Sequence, residues 1–193
     1  MANSYFLKIL VFISSFFLFS CSHFQKNEKN TNINIVIHLH EKDSFYNISY
    51  KWIFSKMLLQ NGNIKAELKN IEFNSNFEQI NISQKDDLKK LTDLVNDNNI
   101  HIFFIKELKS NNKKEVLRGF FYFRERCKKI ILISDKANRS TIAHEIGHFF
   151  GLEHSTDSLN TMSTKQRKKN SKFNEKQLKF MKRQIIKNKL FCY

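Results

Sequence analysis

The sequence predicts an α+β fold whose N-terminal part is laid out like an α/β protein. Three features carry that prediction. Segments with β-branched residues at alternate positions are separated, as far as Ile105, by segments with apolar residues at helical spacing. Two further strand-type segments, Arg118 to Arg124 and Lys129 to Ser134, then follow one another with only Glu125, Arg126, Cys127 and Lys128 between them. After Ser134 the periodicity is helical, first around residues 141–150 and again from Asn174.

Asn32 to Leu39 alternates through Ile33, Ile35 and Ile37 and reads as the first strand. His38 and His40 share one of its faces and are expected to be surface or packing residues, not ligands. Ser44 to Gln60 places Phe45, Ile48, Trp52, Ile53, Leu58 and Leu59 on one helical stripe and stops at Asn61-Gly62. Ile64 to Phe73 alternates through Ile64, Ala66 and Leu68 as a second strand. Ser83 to Asn96 is a predicted helix, with Ser83 as N-cap, Asp86 three residues on, and Leu88, Leu91, Leu94 and Val95 facing inward. Ile100 to Ile105 has the character of a buried strand, in which His101 is expected to be a satisfied or exposed side chain. Lys106 to Lys114 is polar and reads as a loop. Asn138 or Ser140 could cap the helix that follows. The last helix begins at Asn174, with Gln177 completing a capping box and Phe173 and Leu178 forming a staple. Its inward stripe is Leu178, Met181, Ile185 and Ile186, and Lys179, Lys182, Arg183 and Lys187 face solvent.

The formal charge of +15 and pI near 9.7 come from Lys and Arg scattered over the whole chain. A nucleic-acid binder would concentrate that charge on a recognisable module, and none is found, so no nucleic-acid partner is expected. The N-terminus is set aside from the fold as a targeting segment. Lys8 precedes an apolar run, Ile9 to Phe19, too short for a stable bilayer-spanning helix. The run ends Leu18-Phe19-Ser20-Cys21, similar to a bacterial lipobox with Cys21 as the acylated residue. The expected layout is residues 1–21 as signal, 22–31 as a short polar tether and 32–193 as one domain. The mature chain would then be exported to the bacterial cell envelope, lipid-anchored on the periplasmic side or at the surface, and otherwise secreted. A monomer is expected.

The chemistry is concentrated in His144-Glu145-Ile146-Gly147-His148-Phe149-Phe150-Gly151-Leu152-Glu153-His154. On a helix, His144 and His148 project from one face about one turn apart, close enough to share one Zn²⁺. Glu145 lies beside the first ligand, where it can act on a water held by the metal without taking a coordination position. Gly151 can take a positive φ, which ends the helix and turns His154 back as third ligand. Three protein ligands leave a position open, as in catalytic zinc sites. At this composition the pattern is expected by chance at roughly one start position in ten million.

His144 to His154 followed by Met162 resembles the metzincin zinc endopeptidases, the clan with an extended histidine motif and a Met-turn. Gly151 to Asp157, with Met162 at its distance from the last ligand, looks most like the matrixin branch. The chain departs from that branch at Met162-Ser163-Thr164, where matrixins usually continue Met-Tyr-Pro, and Ser155 differs from the cysteine that archaemetzincins place there. The resemblance implies a twisted, five-stranded mixed sheet with one antiparallel edge strand, a zinc helix and a C-terminal helix. It implies one Zn²⁺ held by His144, His148 and His154, Glu145 as general base, and Met162 as an apolar floor beneath the imidazoles. Phe120, Phe121, Tyr122 and Phe123 fall where the substrate-binding edge strand should lie. Cys127 and Cys192 occupy places similar to a disulfide of reprolysin relatives. The tether before residue 32 is too short for a matrixin-like inhibitory pro-segment. The expected activity is zinc-dependent hydrolysis of peptide bonds in proteins or peptides. The alternative is a non-catalytic zinc-containing surface lipoprotein that acts as a binding module.

Overall fold

A computed structural model describes residues 31–39, 51–52, 55–56, 58–73, 78–111, 113–124, 128–164 and 171–187. Among the described residues there are eight strands: β1 (Thr31–Leu39), β2 (Ile64–Phe73), β3 (Gln79–Asn81), β4 (Ile100–Ile105), β5 (Glu107–Ser110), β6 (Lys113–Leu117), β7 (Gly119–Arg124) and β8 (Lys128–Ser134). Three helices are described in full: α1 (Lys85–Asp93), α2 (Thr141–Phe149) and α3 (Glu175–Ile186). The main sheet has the order β2-β1-β4-β8-β7. Its first four strands run parallel, and β7 lies antiparallel on β8 at the edge. The mixed five-stranded sheet expected from the sequence is therefore present, with residues 119–124 at an edge.

The central strands are apolar on both faces because both faces are covered. Ile35, Ile37, Ile102, Phe104, Ile131 and Ile133 join Trp52, Leu59 and the buried side of α2 in one core. Phe103, Ile105, Ile130 and Leu132 pack instead against Leu88, Leu91 and Val95 of the α1 region. The sheet thus presents α2 to one side and α1 to the other. Of the predicted helix at 44–60, residues 44–50 lie outside the described residues, while 51–52, 55–56 and 58–60 are helical. Its stop is a turn at 61–63 in which Asn63, not Gly62, takes the left-handed conformation (φ 54°). The segments holding Cys21, Cys127 and Cys192 lie outside the described residues, as does His40. No described helix is long and apolar enough to cross a membrane.

Three local expectations need correction. The polar stretch 106–114 is not a loop but supplies β5 and the start of β6, an antiparallel hairpin in a small second sheet of order β3-β5-β6. Only Leu108 of β5 is buried, against the second core, so the strand carries almost no apolar signal. Ser83 does not cap α1; Gln84 is the N-cap residue and makes no side-chain cap bond. The Ser83 hydroxyl accepts from Asn111 N (3.0 Å) and contacts Ser110 Oγ, so the hairpin has taken the group that the helix would have used. Two inward stripes end early: Ile186 is 67% exposed and does not join Met181 in the core, and Leu94, at the C-cap of α1, is 44% exposed instead of facing inward. Elsewhere α3 follows expectation, with a complete Asn174–Gln177 capping box and Met181 fully buried, a burial that stabilises by ~1.5–3 kcal/mol.

Candidate metal centre

Helix α2 begins where Asn138 folds back on it. The Asn138 carboxamide oxygen accepts from Ser140 N, Ser140 Oγ and Thr141 Oγ1, so it gathers the donors at the helix entrance. Ser140 holds the N-cap position without a side-chain cap bond of its own. The helix ends at Gly151, whose φ of 86° a side chain would resist. Gly151 N donates to His148 O and Leu152 N to Gly147 O, which turns the chain back toward the ring of His148.

That reversal brings the third histidine home. His148 Nε2 lies 3.1 Å from His144 Nε2 and 3.0 Å from His154 Nε2. The rings meet edge-on for the His144–His148 and His148–His154 pairs, at 4.7 and 4.6 Å between centroids. Protonation can be inferred from the opposite ring atoms. His144 Nδ1 is 2.8 Å from Thr161 O, and His148 Nδ1 is 2.9 Å from Leu152 O. A carbonyl only accepts, so both Nδ1 atoms carry hydrogen, and Nε2 of each neutral ring is the lone-pair atom. Lone pairs this close repel unless a cation lies between them. Three tetrahedral donors at ~2.0–2.1 Å from zinc stand roughly 3.3 Å apart, close to the spacing found. The residues fit a metal ion, and the all-imidazole set suits zinc. Among the described residues this is the one group of three His, Cys, Asp or Glu side chains able to hold a metal.

The carbonyl that orients His144 belongs to the residue before Met162, and Met162 is fully buried. A ladder of bonds fixes this turn. Ser155 N donates to Met162 O, and Met162 N donates to Asn160 Oδ1. The Asn160 side chain is paired in turn with Gln177, the same residue that closes the α3 capping box. The start of α3 therefore clamps the turn at Met162, and that turn orients the His144 ring. Met162 Sδ rests directly on Gly147, where any Cβ would overlap it. The resemblance implied Met162 as a floor beneath the imidazoles; the contact found is with Gly147, to which the sequence analysis gave no role.

Glu145 is buried, 6% exposed. Its carboxylate lies against Gly119, the first residue of β7: a Cβ there would come within 2.7 Å of Glu145 Oε1 and of Thr141 Cγ2. Edge strand and acid thus share one wall, and only glycine permits the approach. Sequence reasoning missed this residue as well. Its signal was rarity, because the chain has only four glycines.

Along the rest of β7, Phe120, Phe121 and Tyr122 are partly buried and Phe123 is 53% exposed. Phe121 packs edge-on against Phe149 of α2 at 6.0 Å, and Lys129 sits over Phe149 and Phe123. Burial holds the Lys129 ammonium below the usual lysine range.

No family model matches the chain, and no curated protein sequence does. Solved structures do match. Metalloproteinase-II from Bacteroides fragilis aligns at TM-score 0.57 and 16% identity, over 80% of this chain and 53% of that one. The chain thus spans about half the length of that protein. An archaemetzincin from Methanopyrus kandleri aligns at TM-score 0.56 and 14% identity, over 82% of this chain and 98% of that one. The shared property is the fold, a mixed α/β arrangement on a mostly parallel sheet similar to that of archaemetzincin-type metallopeptidases.

Proposed function

We propose that the chain is a zinc-dependent endopeptidase that hydrolyses peptide bonds in proteins or peptides. The observation that carries this reading is the convergence of three imidazole Nε2 atoms beside a buried glutamate that shares a wall with an edge strand. Likeness in fold to metallopeptidases supports it. His144, His148 and His154 would hold the metal, which when bound supplies Lewis acidity and lowers the pKa of a coordinated water to ~7. Glu145 takes up the proton released on attack and delivers it to the leaving amine. Gly119 keeps that carboxylate in place, and the backbone of β7 receives the substrate as an added strand. Met162 packs beneath the imidazoles and holds their orientation.

The matrixin-like details, export, the lipid on Cys21 and the Cys127–Cys192 disulfide belong to the same proposal and rest on the sequence. The test is cleavage of an unfolded protein by wild type and by Glu145→Gln, with zinc content measured in both. Cleavage should fall ~10²–10⁴-fold while zinc stays at one per chain. A wild type that carries zinc and cuts nothing would leave the binding-module reading in its place.

A further inference from the structure

Two features stand apart from the metal centre. The first is a pair of buried histidines, His38 on β1 and His101 on β4, 2% and 3% exposed. His38 Nε2 lies 2.8 Å from His101 Nδ1, and His101 Nε2 lies 2.8 Å from Asp97 Oδ1. Two neutral rings satisfy both bonds, so the pair is a packing element and calls for no ligand. The second feature is the outer edge of the ribbon that runs from β6 into β7.

β7 borders the main sheet and β6 borders the small one, and only Arg118 separates them. Both are paired on the same side. β7 pairs with β8, whose other neighbour is β4, and β5, the partner of β6, continues from β4 after a single residue. β5 also touches β8, and Asp135 N, just past β8, donates to Ile105 O at the end of β4. Leu108 and Leu117 pack on the same core as Phe120 and Tyr122. The opposite edge of the ribbon therefore faces outward along residues 113–124, and no described strand pairs with it. Gly119, against the Glu145 carboxylate, lies in the middle of that edge and not at its end.

The far edge of the main sheet is guarded against added strands. There β2 carries exposed Lys65 and Lys69, and its register on β1 breaks between Leu68 and Asn70. Gly119 to Phe123 carries no charge, and no proline interrupts residues 113–124, so every amide in the ribbon has an N–H to offer. β6 contains Lys113, Lys114 and Glu115 in place of an apolar run, so recognition along it would run through the backbone.

On the endopeptidase reading, on which this inference rests, the substrate adds to β7. We infer that the added strand continues past the cut bond onto β6, so that backbone bonds hold the substrate on both sides of the bond being cut. Antiparallel pairing is the more stable mode per residue, and it puts the residues before the cut along β7 and those after it along β6. The five residues of β6 match ~17 Å of extended chain. The substrate class is then an unfolded or extended polypeptide with several residues beyond the cut, and a peptide that ends just after the cut is a poor substrate.

The test begins by mapping a cut site in an unfolded protein with wild type. A peptide spanning that site, and the same peptide shortened to one residue after it, are then added in excess to zinc-loaded Glu145→Gln, and backbone amide exchange is followed. The long peptide should slow exchange in both β6 and β7, and the shortened one in β7 alone. With wild type, N-methyl groups on alternate residues after the cut should lower kcat/KM roughly fivefold for each bond lost, and on the residues between them should not. Protection confined to β7 with the long peptide, or N-methyl groups without effect after the cut, would overturn the inference and leave the endopeptidase reading in place. A wild type that cuts nothing in the first step would remove both.

Discussion

The metal centre and the His38–His101 pair are built from the same side chain at nearly the same spacing, yet they differ in where the second ring nitrogen points. In the metal centre, Nδ1 of His144 and of His148 is bound to a backbone carbonyl, and the Nε2 atoms converge. In the pair, the outer nitrogens run out to carboxylates, and the inner two face each other in line. Convergence of three lone pairs suits a cation with directional valence, whereas two ring nitrogens that face each other alone need only one N–H between them. The group behind the ring, more than the ring, selects the occupant.

That contrast can be broken in measurable ways. The largest effect is expected from Gly119→Ala, whose new Cβ would displace the Glu145 carboxylate without touching a ligand. Peptide cleavage should fall ~10²-fold with zinc content unchanged. Next, zinc at 100 times its Kd should stabilise wild type and His101→Asn alike by ~2.7 kcal/mol, and His148→Ala not at all, as read from denaturant midpoints. Stabilisation of His148→Ala by zinc would mean that the two clusters are not distinct in what they bind. Gly147→Ala forces a methyl group into Met162 and should cost ~1–3 kcal/mol in urea unfolding. The smallest effect is expected from Asn160→Ala, which removes the acceptor for Met162 N and should cost ~1 kcal/mol while slightly weakening zinc affinity.

Much of the scaffold could be read from pattern alone. β1, β2, β4, β7 and β8 coincide closely with the strands expected: β1, β4 and β8 carry dense buried apolar runs, and β2 and β7, at the sheet edges, still show alternating or aromatic residues though few are buried. The small sheet could not be read, because β5 buries one leucine among Glu107, Lys109 and Ser110 and its partners are short. The cap of α1 failed for a related reason: Ser83 is a good capping residue, but Asn111 from the hairpin competes for its hydroxyl. The α3 capping box was readable because its two residues are three apart and satisfy each other.

The sequence by itself determined the candidate ligand set and the shape of its approach. His144, His148, Gly151 and His154 lie within eleven residues, so helical pitch and one positive φ bring the nitrogens together. Tertiary structure decided what those ligands lean on. Thr161 O behind His144, Gly119 against Glu145 and Gln177 behind Asn160 depend on how distant segments pack. The pairing of His38 with His101, 63 residues away, has the same origin. Short-range geometry is fixed by bond angles and helical repeat. Contacts across the core are fixed by which surfaces exclude water together, and no local spacing encodes that choice.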